Sequence, residues 1–299
     1  MNGVFVTVDS SRLTLTEKTG LSCGPEALHK ALYTQRKRLV GRLAELTPSD
    51  WTAPTRCTRW SVHEVVRHLV DVAEYHVAHL TNRSEHSRFD RFGPFDPAST
   101  PGLWLQDSAG QSPEQTVEAF LRVMEDEHDS LGARIQEGGA TLERSVAGRE
   151  NLWSVRSLHV LWDAWLHERD MSETLRVDEP PDATVQRLIT LYSLLIAGGV
   201  AALFGELPRV SFHLMGSPDG VYEISEHRGE VSVAAVGSAS PAHLNGPFEA
   251  VLESISGRGP SLAEIVGVSN ATVEGLSKLS AVMRPAHPGD TPHRRAAEG

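Results

Sequence analysis

Cysteine is scarce: the 299 residues hold two, Cys23 and Cys57. Two thiols exclude a disulfide framework and suit a reducing cytoplasm. Positive charge is also short, with 28 Lys and Arg against 39 Asp and Glu and a formal net charge of −11. That balance argues against non-specific binding to nucleic acid or to anionic membranes. No apolar run is read as reaching the roughly 20 residues of a membrane span. The first residues, MNGVFVTVDSSR, lack a basic stretch ahead of a long apolar core, so no signal peptide is expected. The glycines Gly216, Gly220, Gly229, Gly237 and Gly246 form no phosphate-binding fingerprint, and there is no P-loop and no internal repeat. What remains is an ordinary globular composition, 40% apolar and 22% charged. The length favours two domains over one and allows a sizeable core.

Residues 1–24 read as an N-terminal extension. Pro25 can open a helix, and Leu28, Leu32, Leu39, Leu43 and Leu46 recur near the helical period up to Leu46. Ser61 and Glu64 form an S-x-x-E capping box for a second helix, whose apolar stripe runs from Val62 to Leu80. Residues 81–111 form a long, Pro- and Gly-containing connection holding Trp104, readable as a lid or as a packed surface excursion. Ser112-Pro113-Glu114-Gln115 starts a third helix, to about Gln136, and Ser154 caps a fourth, to about Arg169. A fifth, from Thr184 to Phe204, is apolar nearly all round, as expected of a helix buried between two parts of the protein. The pattern then changes. Arg209–Leu214, Val221–Ser225 and Glu230–Ala235 read as strands, followed by a helix at Gly246–Ile255 and another near Ser261. A further strand at Ala271–Glu274 and a last short helix to Met283 complete the pattern. The expected organisation is α+β. A helical bundle over residues 25–206 precedes a small α/β domain over 207–283 and a disordered, Pro-rich tail over 284–299.

Asp163 and His167 lie four residues apart in LHVLWDAWLHERD. Four residues advance a helix by about 400° and about 6 Å, so both side chains share a face and can hold one divalent cation. His159 sits one turn upstream on the same line. His68, at the edge of the second helix's stripe, supplies a third ligand if the helices pack as a bundle. Three protein ligands leave an open position, the catalytic arrangement for a zinc-like ion. The same spacing also suits a solvated pair or a plain hydrogen bond, and spacing alone leaves these readings open. Other residues carry double readings too. Cys57, ahead of a helix N-terminus, is a nucleophile or a small packed residue. His76 and His79 are further ligands or core histidines. Asp170 is a cap or a hydrogen-bond partner of a ligand histidine.

Two segments resemble a known family. Arg56-Cys57-Thr58-Arg59-Trp60-Ser61-Val62-His63-Glu64-Val65-Val66-Arg67-His68-Leu69 is similar to the GW-x-V-x-x-x-x-x-HL segment of the mycothiol-dependent maleylpyruvate isomerases, part of the DinB-like helical-bundle superfamily. Trp162 to Asp170 is similar to that family's second signature, E-x-x-x-H followed closely by D. Gly246-Pro247-Phe248 and Ser256-Gly257-Arg258 resemble the start and end of a stretch in its C-terminal domain. The resemblance spans roughly residues 25–283. It implies a DinB-like four-helix bundle and a divalent metal, usually zinc, held by His68, Asp163 and His167. It also implies mycothiol, the low-molecular-weight thiol of actinobacteria, as cosubstrate. Arg258 would match an arginine of the second domain that faces the active site, a catalytic and cofactor-binding position that by charge could hold a substrate carboxylate. Two departures stand out. The family's Glu is Asp163 here, with a reach roughly 1.3–1.5 Å shorter, which makes His159 a reserve ligand. The extension and the 81–111 insertion make the chain longer than the isomerases.

The expected activity is therefore metal- and mycothiol-dependent S-transfer to a small electrophilic metabolite, by a cytoplasmic monomer or homodimer that binds neither nucleic acid nor membrane. Cis–trans isomerisation of the maleylpyruvate type is the alternative, and a non-catalytic metal or small-molecule binder is the third reading.

Overall fold

The computed structural model describes residues 25–83, 87–92, 99–137, 142–144, 150–177, 180–203, 207, 209–227, 230–237 and 241–283. The expected N-terminal extension and the tail expected to be disordered lie outside these residues.

Four helices form the bundle: α1 (Pro25–Leu43), α3 (Val62–Leu80), α5 (Pro113–Glu137) and α6 (Trp153–Asp170), with the single-turn α2 (Pro48–Trp51) between the first two. α5 packs on α1 and α3, and α6 closes the ring on the same two helices. α3 starts where the sequence signals it. Ser61 accepts from the Glu64 backbone N–H, and the Glu64 carboxylate reaches back to the Ser61 N–H at 2.8 Å. α6 is the most enclosed bundle helix: 15 of its 18 residues are buried, Asp163 and His167 among them. Those two side chains therefore face protein, not solvent. The bundle interior also holds a polar chain. Arg36 Nε donates to Glu127 at 3.2 Å, Glu127 lies 2.8 Å from His76 Nδ1, and His76 Nε2 lies 2.8 Å from Ser157 Oγ. His76 is thus occupied as a core histidine.

The 81–111 connection is not structureless. Asp90–Phe92 is a 3-10 turn and α4 covers Thr100–Asp107, with Pro101 in its first turn. α4 packs on α3, and Phe89 and Trp104 stack near Tyr75 with centroids 4.5–5.4 Å apart. Trp104 is a packed anchor of the insertion. A two-stranded hairpin, β1 (Leu142–Arg144) and β2 (Glu150–Leu152), was not anticipated. A single-turn helix, α7 (Ser172–Leu175), follows α6.

The fifth long helix, α8 (Ala183–Leu203), lies between the two halves as expected, against α1 and α6 on one side and the C-terminal sheet on the other. Contrary to the reading of the sequence, Ala183–Ala202 is long and apolar enough to cross a membrane, but 83% of it is buried inside this fold. A close approach explains Gly198: a Cβ there would meet Ile224 Cγ2 at 2.8 Å and Val231 Cγ1 at 3.0 Å. The sheet runs β5-β4-β3-β6, from β3 (Val210–Met215), β4 (Val221–His227), β5 (Glu230–Ala235) and β6 (Leu244–Pro247). β6 pairs with β3 in parallel and the other pairs are antiparallel. The first residues of the expected Gly246–Ile255 helix are therefore strand, and α9 covers Phe248–Ile255. α10 (Leu262–Val266) follows its Ser261 cap. The strand expected at Ala271–Glu274 is helix: α11 runs Ala271–Met283, because Asn270 accepts from the Val273 N–H and caps it. One apolar cluster joins Leu28, Trp162 and Leu195 to Phe212, Leu252 and Leu276, so bundle and sheet share a core.

Candidate metal centre

α3 and α6 run antiparallel and in contact, which brings His68, near the start of α3, to Asp163 and His167, near the end of α6. The three side chains are buried, and one ligand atom of each lies within 4.8 Å of the others. His68 Nε2 is 3.7 Å from Asp163 Oδ2, and His167 Nε2 is 3.6 Å from Asp163 Oδ1. Ligands about 2.0–2.1 Å from a tetrahedral cation stand roughly 3.4 Å apart, so each histidine–carboxylate separation is close to that of a shared cation. Asp163 Oδ2 has no hydrogen-bond partner although it is buried. A buried carboxylate oxygen left so is costly unless something positive meets it. The donor set, two imidazoles and one carboxylate, also suits a zinc-like ion. The residues present therefore fit a divalent metal.

The shortness of Asp163 does not take it out of the cluster. His159 is not in this group; its Nδ1 lies 2.8 Å from the Tyr192 hydroxyl. His79 is also spoken for, with Nδ1 donating to the Tyr75 carbonyl at 2.8 Å.

Charge follows the geometry. Burial alone would raise the Asp163 pKa, but the His167 charge and the nearby His68 outweigh it and hold the carboxyl well below the usual range. Burial likewise presses His167 down, and the Asp163 charge overrides it, so His167 lies well above the ordinary imidazole value.

Behind His167 stands a second group. His167 Nδ1 donates to Asp170 Oδ2 at 3.1 Å, which fixes the ring and turns Nε2 toward Asp163. The Cys57 thiol donates to the same oxygen at 3.0 Å and lies 3.7 Å from His167 Nδ1. The turn before α3 delivers it. The Arg56 N–H donates to the Asp170 carbonyl at 3.0 Å, and the Trp60 N–H to the Cys57 carbonyl at 2.7 Å. This places the Trp60 ring 5.0 Å from His68 and 6.1 Å from His167, as a wall of the site. Arg258 reaches the same Asp170 from the turn after α9, with Nη2 3.3 Å from Oδ2. Its Nη1 donates to the carbonyls of Ser256 and Met283 at 3.1 and 2.8 Å. The side chain is 7% exposed, and each of its three nitrogens has a partner among these groups. Arg56 and Arg169 tie the same face to Glu253 of α9 at 2.9 and 2.7 Å.

Residues 32–172 match the family model described as the mycothiol maleylpyruvate isomerase N-terminal domain. The helical part of the chain thus carries a stretch similar to the N-terminal domain of mycothiol maleylpyruvate isomerase. That span contains α3, α6 and all three clustered side chains. Two solved structures share the fold of nearly the whole molecule. The crystal structure of the mycothiol-dependent maleylpyruvate isomerase has a TM-score of 0.54 at 10% identity, and a histidine-to-alanine variant of it 0.55 at 9%. Each alignment covers 81% of this chain and 92% of the other. No curated protein sequence matches the chain.

Asp71 is the residue near the site that the sequence reading passed over. It lies one turn after His68 and is buried, held by Arg88 of the insertion. The signal was available, because His68-Leu69-Val70-Asp71 repeats the H-x-x-D spacing of His167-Glu168-Arg169-Asp170.

Proposed function

We propose that the chain is a metal- and mycothiol-dependent S-transferase acting on a small electrophile, with His68, Asp163 and His167 as the metal ligands. The observation that carries this reading is the convergence of those three buried ligand atoms within 4.8 Å, inside a domain of a mycothiol enzyme family. A divalent cation held there would lower the pKa of a thiol at the open position and supply a thiolate at neutral pH.

The protein's own residues set the rest. Asp163 brings the negative charge that balances the cation. Asp170 keeps His167 in the tautomer whose Nε2 lone pair faces the site. Trp60 covers one side of the histidine pair and limits water there. Arg258 serves the site through Asp170. The insertion, packed through Trp104 and Phe89, distinguishes the surroundings of this site and favours an electrophile other than maleylpyruvate. Isomerisation of the maleylpyruvate type is the second reading. It rests on the name of the matched domain and of the structures that share the fold, and the same thiolate can add to a cis double bond and leave again after rotation.

The test is turnover of an electrophile panel with mycothiol, with and without loaded metal. Consumption of thiol in step with the electrophile supports transfer. Thiol that is required but regenerated marks isomerisation, and indifference to thiol contradicts both.

A further inference from the structure

Both ligand histidines are followed three residues later by an aspartate. Residues at i and i+3 of a helix are neighbours on one face. For His167 the consequence is visible, since Asp170 takes its Nδ1 proton and is itself gripped by an arginine from outside the helix pair, Arg258. The α3 pair has the same parts. Asp71 is 2% exposed, and one of its oxygens accepts from Arg88, an arginine supplied by the insertion. Its other oxygen, Oδ2, is buried with no partner, and so is Nδ1 of His68 one turn before it. A ring nitrogen and a carboxylate oxygen unsatisfied in one turn of one helix are a donor and an acceptor that lack only each other. Burial raises the Asp71 pKa, while the charges of Arg88 and His68 oppose it, so the histidine and the carboxylate already feel one another.

We propose that Asp71 is the positioning residue of His68, as Asp170 is of His167, and that Arg88 extends this link into the insertion. With Nε2 given to a cation, Nδ1 carries the proton, and Asp71 Oδ2 is the buried acceptor within that turn. The ring is then held in one tautomer and made a stronger ligand. Two pieces outside the helix pair, the insertion and the turn after α9, each steady one ligand through one arginine and one aspartate. Arg88 also binds Glu74 at 2.8 Å, so it stays anchored while it holds Asp71. This rests on the metal reading proposed above.

The test is Co2+ affinity by chelator competition, together with the visible spectrum of the Co2+ protein, for wild type, Asp71→Asn, Arg88→Met and Glu74→Gln. Loss of such a partner typically weakens metal affinity about 10- to 100-fold. Asp71→Asn is expected to fall in that range and to shift the ligand-field bands. Arg88→Met shifts them in the same direction by less. Glu74→Gln, which loosens the anchor of Arg88 but keeps its Asp71 contact, shifts both by less than Arg88→Met. The Arg88 side chain is 30% exposed, and thermal melts show which of the variants fold. Wild-type affinity and spectrum in Asp71→Asn, or in Arg88→Met should Asp71→Asn fail to fold, overturn the proposal. A wild-type protein that takes up no Co2+ overturns the metal reading itself.

Discussion

Replacing Arg258 by Met separates two roles for this side chain. A guanidinium waiting for a substrate carboxylate would be open, and losing it would raise KM with little change in stability. The observed side chain is 7% exposed, against an Asp170 carboxylate that is fully buried. Removing one partner of a buried pair costs about 3–5 kcal/mol, because the other charge stays behind uncompensated. The Arg258–Asp170 contacts are long, 3.3–3.4 Å, and Asp170 keeps its bonds from His167 and Cys57. Both facts point to the low end. Against this, the carbonyls of Ser256 and Met283 each lose a donor, worth about 1 kcal/mol apiece. The expected loss for Arg258→Met is therefore about 5 kcal/mol. Urea unfolding of the metal-free protein reads it as a lower midpoint at unchanged slope, and Arg258→Lys should recover part of it. A loss under about 1 kcal/mol, with a raised KM for a carboxylate-bearing substrate, would refute the reasoning and return Arg258 to the substrate.

Further expectations follow from the same structure. Burial, helped by the nearby Arg156 charge, lowers the His79 pKa from 6.5 to about 3. The unfolded chain therefore binds this proton first, and stability is lost as pH falls through that window; at pH 4.5 the loss is about 2.5 kcal/mol. His79→Gln should flatten the fall between pH 7 and 4.5 in urea titrations by about that much, and an unchanged profile would contradict the assignment. Gly198→Ala should destabilise by about 1–2 kcal/mol despite its better helix propensity, because Ile224 and Val231 block the new methyl; a raised Tm would count against that packing. Cys57→Ala should retain thiol-dependent turnover, since the attacking sulfur comes from the cosubstrate; complete loss of turnover in a folded variant would make Cys57 the nucleophile.

What could be read in the sequence was local. The Ser61–Glu64 box and the α3 stripe announced a helix that is present, and the Asp163–His167 spacing announced a shared face that is present and turned inward. The apolar α8 announced its place between two layers. Local signals were also misread. Ala271–Glu274 looks strand-like for four residues, but Asn270 ahead of it is a cap and the helix continues to Met283. Residues 81–111 read as one long connection, yet Pro101 stands in the first turn of a helix there. The rest depends on distant parts of the chain meeting. Nothing near Cys57 in sequence says that it meets Asp170, 113 residues on. Arg258 finds Asp170 across 88 residues, through the packing of α9 against the end of the bundle. The parallel β3–β6 pair has the same character, joining strands that no tight turn connects.

The central claim is that His68, Asp163 and His167 hold a cation whose open position takes a thiol sulfur. The most direct measurement is the absorption spectrum of the Co2+-loaded protein titrated with mycothiol. The account predicts a sulfur-to-cobalt charge-transfer band in the near ultraviolet that saturates at one thiol per protein and is absent in His167→Ala. A Co2+ spectrum that thiol leaves unchanged, in protein that turns over with thiol, would contradict it.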